Sequence, residues 1–98
     1  MIEIKIKDFI SKYPVSRESA DVLFAYIKGL NEENIKIDFY GIDRISHSFA
    51  SHYGLNLRTL KKNIIEINRN ENVIKMFKTL DHKKTIENRK IEMGHFKL

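Results

Sequence analysis

Two hydrophobic periods alternate along this 98-residue chain. Ile2, Ile4 and Ile6 recur at every second residue, which is the spacing of a strand with one buried face. A helical stripe follows, and a second two-residue repeat returns at residues 35–39. The alternation between strand-like and helix-like spacing of apolar residues continues to about residue 80. It predicts the order strand, helix, strand, helix, strand, helix, in which the strands form a parallel sheet joined by crossover helices.

Polar residues mark where the predicted helices begin. Ser16 precedes a helical apolar stripe and is a good N-cap, and a second helix should start near Ser46–Ser48. Asn68 and Asn70 form a turn ahead of the third helix. Three further expectations follow: a short strand near Phe9–Ile10 that makes a hairpin or bent edge, a left-handed Gly29 at a helix end, and Tyr26 and Tyr53 at the edge of the core.

Charge is distributed unevenly along the chain. Residues 1–57 carry 7 basic and 8 acidic side chains, a balance of −1, whereas residues 58–98 carry 11 and 5, a balance of +6. Such an asymmetry points to an acidic partner surface or a polyanion, although lysine-rich solvated helices give the same pattern. The candidate polyanion contacts are the basic residues of the last helix and the tail: Lys75, Lys78, Lys83, Lys84, Arg89 and Lys90.

The composition is that of a globular protein, with 42% hydrophobic and 32% charged residues. Cysteine is absent, which excludes disulfides and thiolate metal sites. No apolar run resembles a signal peptide or approaches the roughly 20 residues that span a bilayer. We therefore expect a cytoplasmic protein with no membrane contact, formed by one domain over residues 1–98 in which 81–98 is a basic helical tail.

Three short motifs stand in a fixed order within residues 15–80. They are Ser16-Arg17-Glu18 before the first long helix, Asp38-Phe39-Tyr40-Gly41-Ile42 at the end of the second strand, and Ser48-Phe49-Ala50 in the next helix. In this order and spacing the chain resembles a STAS-like family of unknown function, related to the STAS domains of anti-sigma factor antagonists. The resemblance implies an α/β fold with a small, mostly parallel sheet of about four strands, the first antiparallel or at an edge, flanked by three to four helices.

The resemblance also implies a function and a site. STAS domains of this kind dock on a partner protein, and a partner kinase with a histidine-kinase ATP fold controls docking by phosphorylating a serine where the helix begins. At that position this chain has His47, preceded by Ser46 and followed by Ser48. We therefore expect a regulatory protein-interaction module in bacteria, docking through the residues Asp38, Tyr40, Gly41, Ser46, His47 and Ser48, plausibly on such an ATPase.

Catalysis and metal binding are not expected. His47 and His52 are five residues apart, which on a helix puts them off the shared face that two metal ligands need. Adjacent Ser and His residues rarely align for proton transfer. Asp38 and Asp43 flank a glycine turn and suit turn geometry better than acid–base chemistry. We expect no enzyme activity and no cofactor.

Two alternatives stay open. One is a small basic protein that associates with nucleic acid, or an accessory of a mobile element or defence system, acting through its C-terminal helices. The other is a small inhibitor encoded by a virus or plasmid. The sequence leaves the oligomeric state open, a homodimer included.

Overall fold

The computed structural model describes residues 1–80. These residues form an α/β domain with three strands and four helices. The strands are β1 (Ile2–Lys5), β2 (Asn34–Asp38) and β3 (Asn63–Ile67). The helices are α1 (Ile6–Phe9), α2 (Arg17–Lys28), α3 (His47–Thr59) and α4, whose described part covers 71–80.

The three strands form one parallel sheet in the order β1-β2-β3. This confirms the alternation of strands and helices and the parallel pairing that the sequence predicts. Within residues 1–80 the sheet has three strands rather than about four. Because β1 runs parallel to β2, the antiparallel alternative for the first strand is wrong.

The strand expected near Phe9–Ile10 is instead the short helix α1. The alternation of isoleucines reaches Ile6, but the extended backbone ends at Lys5 and Ile6 is the first helical residue. Ile6 is still fully buried. Ile6 is thus buried as the two-residue repeat predicts, although it belongs to a helix. This is why the repeat predicts a longer strand than the structure has.

One face of the sheet forms the floor of the core. Ile4, Ile35 and Ile37 are buried, and the side chains of α2 and α3 complete the same apolar cluster. Ile4 lies opposite Ile37 in the register, so the two project from the same face. The other face carries the charged residues Glu3, Lys5, Lys36 and Asp38.

Helix ends follow the predicted caps at their amino termini. The Ser16 hydroxyl accepts a hydrogen bond from the backbone amide of Ser19, at 3.1 Å, and thereby caps α2. At the other end Gly29 has φ −78°, so the expected left-handed conformation is wrong. The carbonyls of Leu30 and Glu32 accept hydrogen bonds from Lys62 instead, and this side chain fastens the turn after α2.

The tyrosines depart from their expected places. Tyr53 is 1% exposed and lies at the centre of an aromatic cluster with Phe24, Phe39, Phe49 and Phe77. Tyr26 is 47% exposed and contacts Phe9 on the surface. Tyr53 can be buried because its hydroxyl donates to the Glu66 carboxylate on β3, at 2.5 Å.

None of the helices within residues 1–80 is both long enough and apolar enough to cross a membrane.

Candidate functional site

Asp38 ends β2 at the carboxyl edge of the sheet, and its carboxylate joins three parts of the chain. Oδ1 accepts hydrogen bonds from the backbone amide of Tyr40 and from Nδ2 of Asn68, both at 2.9 Å. Burial raises the pKa of this carboxyl, but the hydrogen bonds from Asn68 and Tyr40, together with smaller contributions from Glu3 and Lys5, outweigh it and lower the pKa below its ordinary value. The ionised side chain therefore holds the loop after β2 against the residue that follows β3.

Residues 39–46, called the rim loop below, connect β2 to α3. The loop turns at Gly41, whose φ of 83° lies in the left-handed region that glycine adopts without strain. A Cβ atom at Gly41 would lie 2.8 Å from Cδ of Lys7. Lys7 in turn places its ammonium 5.6 Å from the centre of the Tyr40 ring, within the range of a cation–π contact. Tyr40 is 67% exposed, so its outer face remains available for contact.

Asn70 fastens the rim loop from the β3 side. Its Nδ2 donates to the backbone carbonyls of Ile42 and Asp43, at 2.9 and 3.0 Å. Its Oδ1 accepts from the backbone amide of Val73, at 2.9 Å, which caps α4. One side chain thus fixes the rim loop and starts the last described helix, as the predicted asparagine turn requires.

Ser46 fastens the other end of the rim loop and begins α3. Its hydroxyl accepts from the backbone amide of Phe49, at 3.0 Å, and donates to the backbone carbonyl of Val15, at 2.7 Å. Its backbone amide donates to the carbonyl of Pro14, at 3.1 Å. The helix therefore begins within the predicted run 46–48, Ser46 is its N-cap, and the Ser46 hydroxyl is engaged in holding the fold together. His47 and Ser48 follow it in the first turn of α3, and both are exposed.

Apolar side chains are exposed beside this helix start. Tyr13 and Val15 are 48% and 62% exposed, although both are large hydrophobic residues. They border a shallow groove of about 350 Å³, which is also lined by Arg44, Ile45 and Ser46. A second depression, of about 450 Å³, lies on the β3 side of the rim loop and is lined by residues 39–43 and 68–70. Residues of the rim loop therefore line two concave surfaces, one of which reaches Ser46 at the start of α3.

The structure brings the six predicted docking residues to one edge of the sheet but gives them different roles. Asp38 and Ser46 are engaged in internal hydrogen bonds, and Gly41 forms the turn. Tyr40, His47 and Ser48 are exposed. The exposed surface around them, formed by Tyr13, Val15, Tyr40, His47 and Ser48, is called the α3 rim below.

Sequence reasoning missed several residues of this region. Tyr13 and Val15 precede α2 and share no motif with the rim loop. The folded structure makes them neighbours, through the hydrogen bonds from Ser46 to Val15 and Pro14 and through the groove that they share with residues 44–46. Asn68 was expected only to make a turn. Its φ of 59° belongs to the left-handed region that asparagine tolerates, and its hydrogen bond to Asp38, 30 residues away, had no local signal in the sequence.

Other predicted residues lie elsewhere. Lys75 and Lys78 are exposed on α4, whereas Lys83, Lys84, Arg89 and Lys90 fall outside the described residues. His52 pairs with Asp21 of α2, with 3.4 Å between Nδ1 and Oδ1, and Asn56 donates to the same carboxylate oxygen at 2.9 Å. These hydrogen bonds from Asn56 and His52 lower the pKa of Asp21. In residues 1–80 no three histidine or acidic side chains are grouped so that they could hold a metal ion.

Comparison with known proteins returned no relative. No protein-family model, no curated protein and no solved structure matches the chain.

Proposed function

We propose that this chain is a STAS-like regulatory module that docks on a partner protein through the α3 rim. The observation that carries the proposal is that the rim loop combines a firmly held backbone with exposed side chains on or beside it. The backbone of the rim loop is held by Asp38, Ser46 and Asn70, whereas Tyr40, Val15 and Ser48 on or beside it point to solvent. A fixed backbone that presents exposed aromatic and apolar side chains loses little entropy on binding.

The composition of the α3 rim suits a protein partner. Tyrosine supplies a large contact area with few rotatable bonds, and Val15 and Tyr13 add apolar surface beside a groove. The resemblance to STAS-like proteins supports this reading and suggests the class of partner, an ATPase with a histidine-kinase fold. No chemical step is assigned to the α3 rim.

Phosphorylation of Ser48 would give the interface a switch. A phosphate adds about −1.5 to −2 charge, and in the first turn of a helix the backbone dipole tolerates that charge. The fold would persist while the partner surface met a new negative group. Ser46 suits this role less well, because its hydroxyl is already hydrogen-bonded to Phe49 and Val15. We therefore assign the switch to Ser48.

Site-specific photo-cross-linking in the native cell tests the proposal. A photoreactive amino acid replaces Tyr40 or Ser48, and the matched control replaces Val22, which is 59% exposed on α2 and outside the α3 rim. We expect positions 40 and 48 to capture the same protein and position 22 to capture none of it. Equal capture from all three positions, or none from 40 and 48, would remove the support for this site.

The same experiment separates protein docking from contact with nucleic acid. Photoreactive residues at Lys75 and Lys78 lie on the exposed basic part of α4. If the chain acts on nucleic acid, these positions should form nucleic-acid adducts that disappear as salt is raised, because phosphate contacts are screened and displaced by ions. If it docks through the α3 rim, they should not.

A further inference from the structure

The outer edge of β1 is a second surface of interest. In the sheet of residues 1–80, β1 is hydrogen-bonded on one side only, to β2. A depression of about 590 Å³ borders the strand and is lined by Glu3, Ile4, Lys5, Asp8, Phe9 and Tyr26. Because three consecutive β1 residues line it, the depression lies along the edge of the strand rather than over one face. An open edge of this kind can accept another strand.

An aromatic pair is exposed beside this edge. Phe9 is 37% and Tyr26 is 47% exposed, and their ring centres are 5.0 Å apart. Phe9 belongs to α1 and Tyr26 to α2, so two elements contribute apolar surface to the same depression. A strand added to β1 would cover part of this surface, which favours association at the edge.

The charges of β1 indicate what the added strand is. Glu3 and Lys5 lie on the charged face of the sheet, opposite Lys36 and Asp38 of β2. Across the two strands the charges therefore alternate, negative beside positive in one row and positive beside negative in the next. A strand that continues the alternation has a positive residue opposite Glu3 and a negative residue opposite Lys5. Strand β1 of a second copy, running antiparallel, has both.

The register of such a pair is determined by the pleat. Opposite residues of an antiparallel pair point to the same face, and two-fold symmetry requires that Ile4 face the core side in both copies. Four registers of β1 meet this condition. One pairs only the two Ile2 residues within the strand, one places the two Glu3 residues opposite each other, and another does the same with the two Lys5 residues. The remaining register pairs each Glu3 with Lys5 of the other copy. Only the register that pairs Glu3 with Lys5 is attractive at both positions.

We propose that the chain forms a homodimer in which β1 pairs antiparallel with β1 of a second copy, with Ile4 on the two-fold axis and each Glu3 opposite Lys5 of the other copy. The two sheets then join into one sheet of six described strands. The outer edge of β3 lacks this self-complementarity. Its charged residue Glu66 is already bound by Tyr53 and Arg69, and its own pairing about Ile65 would place Glu66 opposite Ile64.

Charge exchange in the full-length chain tests the proposal by sedimentation equilibrium over a concentration series. Glu3→Lys and Lys5→Glu each place like charges opposite each other across the dimer, so the dissociation constant of either variant alone should rise by about tenfold. A mixture of the two variants restores both attractive pairs and should form a heterodimer about as tight as the wild-type dimer. Each substitution also places a like charge beside a β2 residue of its own chain, Lys36 for position 3 and Asp38 for position 5. Mixing the two variants leaves this repulsion within each chain unchanged.

Cysteine pairs supply a second measurement that does not depend on charge. The chain has no cysteine, so Glu3→Cys and Lys5→Cys each introduce one thiol. Under mild oxidation, a mixture of the two variants should form a disulfide-linked heterodimer in much higher yield than Glu3→Cys alone. A wild-type chain that stays monomeric, a mixture no tighter than its components, or equal disulfide yields would overturn the proposal. Occupation of the edge by residues 81–98 or by another protein would give the first of these results.

Discussion

Replacement of Asp38 by alanine tests whether this buried carboxylate holds the rim loop in place. The change removes the acceptor of two hydrogen bonds of 2.9 Å, from the Tyr40 amide and from Asn68. A hydrogen bond to an ionised group contributes about 1.5–3 kcal/mol. Asn68 and Tyr40 are exposed and can bond to water afterwards, and the cost of burying the carboxylate disappears. We therefore expect the free energy of unfolding to fall by about 2 kcal/mol, less than the sum of the two bonds.

The dependence of this loss on pH gives the reasoning a sharper test. Asp38→Asn keeps an acceptor oxygen but removes the charge. Because the folded pKa of Asp38 lies below its ordinary value of 3.8, the ionised group stabilises the wild-type fold fully above that value, and its contribution is lost as pH falls through the folded pKa. The difference in stability between wild type and Asp38→Asn should accordingly be largest near neutral pH and shrink in acid.

Urea unfolding followed by circular dichroism at several pH values measures both effects. The account is contradicted if Asp38→Ala unfolds within about 0.5 kcal/mol of the wild type, the range of ordinary surface substitutions. It is equally contradicted if the difference between wild type and Asp38→Asn is the same at neutral and acidic pH, because the charge would then contribute nothing to the folded state.

Three further predictions concern stability and are measured by the same unfolding assay. Gly41→Ala should lower the free energy of unfolding by about 1 kcal/mol, because φ is 83° and Lys7 is close to the added Cβ atom. Gly54→Ala should raise it by about 0.5–1 kcal/mol, because Gly54 lies inside α3 and the space around its Cβ position is open. A loss of stability at both positions would refute this contrast. Ser46→Ala should lower the free energy of unfolding by about 1–2 kcal/mol, because the N-cap hydrogen bond is lost. The exposed control Ser48→Ala should lower it by less than about 0.5 kcal/mol, and equal losses would show that the cap is not important. Tyr53→Phe should lower the free energy of unfolding by about 1–2 kcal/mol. A double-mutant cycle with Glu66→Ala, which removes the acceptor, should show that most of this loss depends on Glu66, and additive losses would argue against the hydrogen bond.

Local signals in the sequence were enough to predict much of the fold. Ser16, Ser46 and Asn70 cap helices because a short polar side chain reaches only the amides of the next turn, and that preference is readable from a few residues. Gly41 is similarly local, because a tight bend after a strand requires a positive φ. The order of strands and helices follows from the change in hydrophobic period.

Features that depend on distant residues could not be predicted in this way. Asp38 and Asn68 are 30 residues apart, and they meet only because β2 and β3 pair in one register. The turn after α2 is held by Lys62, which lies beyond two further elements, and Gly29 closes the helix with φ −78° rather than in the left-handed conformation. For the same reason Tyr13 and Val15 were not associated with α3, although their exposure now makes them part of the candidate site.

The most direct test of the docking proposal compares two substitutions at Ser48. Ser48→Glu adds a negative charge to the α3 rim, whereas Ser48→Gln adds nearly the same volume without charge. Their affinities are measured by titration calorimetry against the protein captured through positions 40 and 48. We expect Ser48→Glu to weaken binding by about tenfold or more and Ser48→Gln to stay within about twofold of wild type, because a new charge in a contact surface must be desolvated or repelled. Equal affinities of the two variants would contradict a charge-controlled interface where α3 begins.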